Sequence, residues 1–526
     1  MDNNKEKEFY TAIQEMIGEL VSGNRFSMEV LHRMKAAYQA LTEEKQKKSL
    51  HTVYEILQEH YAAAMYIMAV LLRETGDKKI VRYVIRLLSC SRYPLLERMN
   101  DASQLRMFMF TEGAWNEYDS YRDRKRMYEN MLQEIHAAVD FLRPAIPMQL
   151  RKKRVILVLS QLINIYHAPT CYVIQICRCL VRMGYEAECF ICHSFGVEGY
   201  WDWNKSFYSQ NIMDKTGPFM REFADVQVKG YNFELRGADY IETLRFAAGM
   251  AWEKRPEYVL EIGSETILAG LCRAFTTVVT MGMTGALPVT NAQIIASLVE
   301  ASQEERALWD RLLAKEQVVI PVRFAVYEMR EHTAAAAYQK KDFGIPQHAF
   351  VIVIAGNRLD LEVKKEFEQM LFQILDMKQE FMIAVIGECP VFRKRMLEGS
   401  RADRFCFLGH QKDFKGAIGI GDVFVNPPRQ GGGTGGLFAL MESVPVITQG
   451  GCDVAAMTGN KFVCERMEDM PALILRYFTD RDFMDVQKEN CRREAAAKLN
   501  VDNREVFCRI HDAVKAISLE EERGRE

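Results

Sequence analysis

The chain has 526 residues, 48% of them hydrophobic and 26% charged, the profile of a soluble globular protein with room for roughly three domains. Its 68 basic and 71 acidic residues leave a net charge of −3, which gives no electrostatic case for a nucleic-acid partner. No run reaches the ~18 uninterrupted apolar residues of a membrane span, and the opening MDNNKEKEFY lacks the apolar core of a signal peptide. The 13 cysteines are scattered without the spacing of a small disulfide framework, so reduced thiols and a cytoplasmic location are expected.

Residues 1–148 read as helix throughout. Apolar residues recur three and four apart, as in Phe9, Ile13, Met16, Ile17 and Leu20, or Met28, Leu31, Met34 and Leu41. An all-helical N-terminal domain is expected, packed on the rest of the chain and able to offer a docking surface to a partner protein. No strict repeat of 34 residues is present, so a solenoid is not indicated.

The basic run Arg151–Arg154 opens a second domain, expected over residues 150–330. Val155–Leu159 is a continuous apolar strand, residues 170–183 are helical, and Ala187–Cys192 is a strand again. This βαβ unit implies a parallel sheet. Tyr258–Ile262, a helix around 266–274 and Thr277–Met281 repeat the alternation. Residues 194–235 are aromatic, polar and irregular, and are expected to form an insertion or flexible loop near the site. Residues 296–316 are expected to be helical, followed by a strand at Val318–Pro321. Cys177, Cys179, Cys189, Cys192 and His193 are the nearest thing to a metal cluster. The first two fall on a helix and the next two on opposite faces of a strand, so small apolar core residues are the expectation rather than zinc.

Ligands of such sheets bind beyond the carboxyl ends of the strands. Three loops qualify: SQLINIYHAPT at 160–170, EIGSET at 261–266 and GMTGALP at 282–288. His167, Glu261 and Glu265 are the titratable residues there.

A polar, Ala- and Lys-rich link at about 328–345 leads to a third domain, expected over 340–490. Its strands read as Phe350–Ala355, Phe381–Ile386, Phe405–Leu408, Val423–Val425, Val444–Ile447 and Lys461–Cys464. Between the last strands but one stands Asp422–Thr448, DVFVNPPRQGGGTGGLFALMESVPVIT. The strand stops at Pro427–Pro428. Five glycines and Thr434 follow, from Gly431 to Gly436, and feed a helix expected over Leu437–Ser443. Amides at a helix N-terminus are unpaired, and glycine lets them approach a phosphate closely. The spacing matches neither the dinucleotide fingerprint nor the P-loop. The tail, 491–526, is charged helix, with Val506, Ile510, Val514 and Ile517 forming a narrow apolar stripe that needs the body as a partner.

Two successive α/β domains with a phosphate-binding turn late in the second resemble a GT-B glycosyltransferase over about residues 150–500. Gly344-Ile345-Pro346 with VIVIAGNRLDLEVKK resembles the entry to the nucleotide-binding domain of glycosyltransferase family 4. That resemblance implies a donor diphosphate held by Arg358 and by Lys364, which aligns one residue out of step, or Lys365. Asp422–Thr448 also resembles the matching stretch of O-GlcNAc transferase and the bacterial adhesin glucosyltransferases. HAPT at 167–170 resembles their His-Pro-Thr loop, and MGMTGA at 281–286 a Gly-rich loop of the same domain. The adhesin enzymes also carry an all-helical N-terminal domain. The two glutamates usual in family 4 are Gln430 and Phe438 here, so the resemblance assigns no ribose contact.

The fold class implied is α/β, two Rossmann-like doubly wound domains after an all-α domain. The function implied is transfer of a hexose or N-acetylhexosamine from a UDP-sugar to a protein or glycan. The donor would be held by Arg358, Lys364 and the turn of Gly432, Gly433, Thr434, Gly435 and Gly436. His167 is the first candidate for a base and Glu261 the second. No Asp-x-Asp pair stands at a strand end, so neither metal nor cofactor is expected. A UDP-GlcNAc 2-epimerase and a non-catalytic partner of an active glycosyltransferase are the rival readings.

Overall fold

The computed structural model describes residues 2–24, 26–111, 118–141, 143–163, 167–192, 216–223, 225–233, 239–284, 286–298, 301, 303–325 and 338–524. Seven helices come first: α1 (Asp2–Val21), α2 (Met28–Gln39), α3 (Glu43–Leu57), α4 (Tyr61–Thr75), α5 (Lys79–Leu88), α6 (Leu95–Thr111) and α7 (Tyr118–Val139). The apolar periodicity seen in the sequence becomes their common core: Phe9, Met16, Met34, Leu50, Met65, Leu72, Ile80 and Val84 are all buried. Ser27 caps α2 by accepting from the Val30 N–H, and Gly76 ends α4 in the left-handed conformation. Among the described residues no helix is long and apolar enough to cross a membrane.

The first sheet contains β1 (Lys152–Leu159), β2 (Glu186–Cys192), β3 (Gly217–Phe223), β4 (Val226–Phe233), β5 (Pro256–Ile262), β6 (Thr277–Met281), β7 (Ile294–Ser297) and β8 (Val318–Pro321), in spatial order β3-β4-β2-β1-β5-β6-β7-β8. All neighbours are parallel except the β3–β4 pair. Val155 lies opposite Ala187 on one side and Tyr258 on the other. Helices α8 (Ala168–Arg182), α9 (Tyr240–Lys254), α10 (Ile267–Cys272) and α11 (Gln303–Trp309) complete this domain. Burial on both faces explains the apolar run of β1 and the largely apolar strands β5 and β6.

The second sheet is wholly parallel among its paired strands: β9 (Phe350–Ala355), β10 (Phe381–Ile386), β11 (Phe405–Gly409), β12 (Val423–Val425), β13 (Val446–Gln449) and β14 (Val463–Cys464), ordered β11-β10-β9-β12-β13-β14. The order reverses between β9 and β12, which is a topological switch point. Its helices are α12 (Leu359–Glu362), α13 (Lys365–Met377), α14 (Pro390–Leu397), α15 (Phe414–Ile418), α16 (Gly433–Met441), α17 (Asp453–Thr458), α18 (Met470–Thr479) and α19 (Arg481–Leu499). The last helix, α20 (Asn503–Arg523), returns to the first domain. Val506, Phe507, Ile510 and Val514 are buried there, and Ile517 packs at the edge. His511 Nε2 lies 3.1 Å from the Tyr258 hydroxyl, and Ser518 bonds Thr277 at 2.8 Å.

Four local expectations are corrected. Gly217–Phe223 and Val226–Phe233 pair as the antiparallel strands β3 and β4 at the edge of the first sheet instead of an irregular insertion; Val226 and Val228 are buried on one face and Phe233 on the other. Residues 194–215, 224 and 234–235 of that stretch lie outside the described residues. Ile294–Ser297 is a strand, and the helix expected over 296–316 is confined to Gln303–Trp309. Three apolar residues and a serine are too short a run to tell a strand from a buried helix. The strand expected at Val444 starts at Val446: Ser443, with φ 57°, and the Val444 N–H bond to Ala439 O still belong to the end of α16. At the far edge only Val463–Cys464 pairs, after a 3₁₀ turn at Asn460–Phe462.

The helical region is seated on the α/β body. Arg124 pairs with Glu265 at 2.7 Å, the Tyr121 hydroxyl donates to Pro288 O at 3.1 Å, and Lys125 donates to Leu312 O at 3.2 Å. The α7 residues Tyr128, Leu132, Ile135 and Val139 belong to the same core as Ile156, Val158 and Val259 of the first sheet.

Candidate active site

The carboxyl ends of the two sheets face each other across a cavity of about 510 Å³. The glycine turn forms one wall. Gly431 and Gly432 have φ of 84° and 82°, so both occupy the left-handed region that glycine enters without strain. Gly432 is the N-cap of α16, and Gly433 and Thr434 lie in the first turn, so the helix starts four residues earlier than expected. Among the described residues no acceptor meets the N–H groups of Gly431–Thr434, whereas the Gly435 and Gly436 N–H groups both bond Gly432 O. Gly431, Gly432, Gly433 and Thr434 line the cavity; Gly435 and Gly436 do not. A Cβ on Gly436 would stand 2.9 Å from both Thr458 Cγ2 and Val454 Cγ1, so that glycine serves the packing of α16 on α17.

The turn is held from behind by Arg429, which the sequence reading missed. Its guanidinium is buried and donates to Asn426 Oδ1, Glu362 Oε2 and Ala355 O, each at 2.8 Å. An arginine directly before the glycines was the available signal. Its partner Glu362 lies far off in sequence on α12.

Arg358, the N-cap residue of α12, lines the cavity beside the turn. It donates to Gln430 O at 3.1 Å, pairs with Glu362 at 2.8 Å, and lies over the Phe110 ring at 4.7 Å from its centroid. Lys364 and Lys365 are exposed at the start of α13 and do not line the cavity. The structure thus joins Arg358 to the turn and leaves Lys364 outside. Arg358 precedes the short helix α12 and Lys364 follows it.

On the opposite wall, His167 is the N-cap residue of α8 and Pro169 sits in its first turn. Its Nδ1 lies 2.9 Å from Thr170 Oγ1, which also accepts from the Ile163 N–H at 2.9 Å, and its Nε2 lies 3.4 Å from Gln161 Nε2. Burial pushes the imidazole down to about 4, so it is neutral at pH 7. Ser264, Gly282, Met283, Thr284 and Pro288 from the other two loops complete this side.

Glu261 is corrected. It is only 1% exposed and does not line the cavity. Its carboxylate accepts from the Thr266 N–H at 2.7 Å and from the Thr280 and Thr290 hydroxyls. Burial raises its pKa, and those hydrogen bonds oppose the rise. It staples the loop after β5 to β6. Glu265, with φ 58°, is engaged by Arg124 at 2.7 Å and by Arg106 at 3.9 Å.

At the positions where family 4 carries acids, Gln430 donates to Gly451 O at 3.2 Å, and Phe438 is buried against Phe414 with ring centroids 6.0 Å apart. Cys177 and Cys189 place their sulfurs 4.0 Å apart in the core and Cys192 is buried, while His193 lies outside the described residues. Among the described residues no group of three His, Cys, Asp or Glu side chains is placed to hold a metal.

Among the described residues, four cationic side chains line the cavity, Arg106, Arg323, Arg358 and Lys498, against one acid, Asp453. Together with the open amides, this makes the cleft suited to a polyanion.

No protein-family model matches the chain, and no curated protein matches it. Solved structures similar to it include an O-GlcNAc transferase variant from Thermobaculum terrenum, at 15% identity and a TM-score of 0.49 over 98% of each chain. HepE from Anabaena, in complex with UDP and glucose, matches at 12% identity and a TM-score of 0.44, over 70% of this chain and 98% of that one. The catalytic domain of starch synthase IV from Arabidopsis thaliana, bound to ADP and acarbose, matches at 10% and 0.45, over 70% and 99%. The two sheets form two Rossmann-like domains that face each other across a cleft, with a helical region in front.

Proposed function

We propose that this chain is a glycosyltransferase that moves a hexose or N-acetylhexosamine from a UDP-sugar to a protein or a glycan on a protein. The observation that carries the reading is the cradle at the switch point of the second sheet. Open amides at Gly431–Thr434 and the Arg358 guanidinium meet in one cavity. Glycosyl transfer breaks the bond between the anomeric carbon and the diphosphate oxygen, and the electron pair leaves with the diphosphate. Preorganised amides, a helix N-terminus and a guanidinium stabilise that developing charge in a site poor in water. The reading therefore asks for no metal.

His167 faces the same cavity from the first domain. If the reaction inverts the anomeric centre, its unprotonated imidazole nitrogen takes the acceptor proton as the acceptor oxygen or nitrogen attacks. Its low pKa keeps it unprotonated, and the incoming diphosphate raises its basicity by favouring the imidazolium. If the reaction retains the centre, His167 holds the sugar. The protein acceptor rests on the helical region, whose α6 reaches the cavity.

The decisive experiment is turnover of a panel of nucleotide sugars with and without EDTA. Activity that survives EDTA and falls about 100- to 1,000-fold in Arg358→Ala is the expected result. Full activity in that variant defeats the assignment. One observation favours a second reading. Gln430 and Phe438 leave no acid at the positions where family 4 carries one, as in a non-catalytic partner subunit. Calorimetry with UDP separates the two: the partner reading requires no binding, or binding without turnover.

A further inference from the structure

The helical region touches the cleft through one face of α6. Arg106, Met107 and Phe110 all line the cavity. Arg106 Nη1 donates to Ser264 O at 3.0 Å, in the loop after β5 of the first domain. One helical turn later, Phe110 lies under the Arg358 guanidinium at 4.7 Å, in the second domain. The ring also reaches the glycine turn: a Cβ on Gly431 would sit 3.4 Å from Phe110 Cζ and 3.0 Å from Arg358 Nη2. Neighbouring side chains of a helix from outside both Rossmann-like domains thus engage both sides of the cleft.

We propose that α6 is a third wall of the transfer site and that Phe110 is a positioning residue, which holds the Arg358 guanidinium flat against the glycine turn for the donor diphosphate. The inference rests on the donor reading above. The physical reason is preorganisation. An unrestrained arginine side chain loses rotamer entropy when it is fixed. Glu362 Oε1 and Gln430 O both meet its Nη2, and the face of Phe110 fixes its plane through cation–π attraction. A guanidinium already set in place gives up less freedom when the diphosphate arrives, and affinity rises accordingly. Leucine at this position would fill similar space without a π face.

The test is a double-mutant cycle on the full chain, read by UDP calorimetry and by donor KM and kcat. Phe110→Leu is expected to weaken UDP about 3- to 10-fold and to raise donor KM, with acceptor KM unchanged. Phe110→Trp is expected to restore binding, because indole offers the strongest π face. In the Arg358→Ala background, Phe110→Leu is expected to have no further effect. An equal loss from Phe110→Leu in both backgrounds, or no loss where Arg358→Ala still weakens UDP, overturns the proposal and leaves the donor reading standing. A wild-type chain that binds no nucleoside diphosphate defeats both.

Discussion

The two Rossmann-like domains contribute to the cleft by different means. The second offers backbone: a left-handed Gly431–Gly432 pair and a helix start whose amides stay open, braced by buried Arg429. The first offers side chains from three loops, among which the sequence ranked His167 first and Glu261 second as a base. His167 and Glu261 both stand at the carboxyl end of a parallel strand. One faces the cavity as a neutral imidazole, and the other is enclosed by three threonine groups beneath it. A backbone cradle is written into local residue types, whereas the reach of a side chain depends on what surrounds it.

The largest effect that sharpens this contrast is within the second domain. Arg358→Ala is expected to lower transfer by about 100- to 1,000-fold, and Lys364→Ala to leave it within about 2-fold, since Lys364 is exposed outside the cavity. Steady-state rates for the two variants decide it. A reversed ranking would return the diphosphate to Lys364.

Next comes the first domain. His167→Ala is expected to cut transfer about 100-fold with the melting temperature unchanged. Glu261→Ala is expected to do the opposite. It leaves the Thr266 amide unpaired in the core, a loss of about 1–3 kcal/mol, and leaves the Thr280 and Thr290 hydroxyls only each other, so melting falls by several degrees. Thermal unfolding beside activity assays separates the two roles.

Gly432→Ala should have a smaller effect. A side chain there is strained at φ 82°, by roughly 1–2 kcal/mol, and its Cβ would stand 2.8 Å from Arg429 Nη2, which three acceptors hold in place. UDP affinity should drop, whereas Gly451→Ala, also at positive φ but with open space around its Cβ, should leave UDP binding nearly intact.

The smallest effect is in pH. With its imidazole held near 4, His167 stays unprotonated down to about pH 5. Transfer at pH 5.5 is therefore expected to remain within about 2-fold of its value at pH 7.5. A histidine at its ordinary value near 6.5 would already be about nine-tenths protonated at pH 5.5. A pH–rate profile of kcat/KM whose acid limb falls through 6.5 would remove His167 from the role of base.

Much of the architecture was legible because parallel strands buried on both faces must be unbroken apolar runs. Phe350–Ala355, Phe381–Ile386 and Val423–Val425 were placed to the residue. Misreadings fell where that signal is short or shared. Ile294–Ser297 is too brief to separate strand from helix by periodicity. The β3–β4 hairpin alternates as only an edge can, and its polar face looked like a loop. Lys364 lies outside the cavity that Arg358 lines, with the four-residue helix α12 between them.

Local chemistry therefore determined the helical opening, the two alternating domains and the glycine turn at a helix start, since these follow from periodicity and from glycine's access to positive φ. Only the tertiary structure decided which titratable groups meet the cavity. It buried Glu261, turned Lys364 outward, set Arg429 behind the turn, and brought Phe110 from the helical region onto Arg358. The reason is distance along the chain: these pairings join residues from separate elements, and nothing in either local sequence encodes the partner.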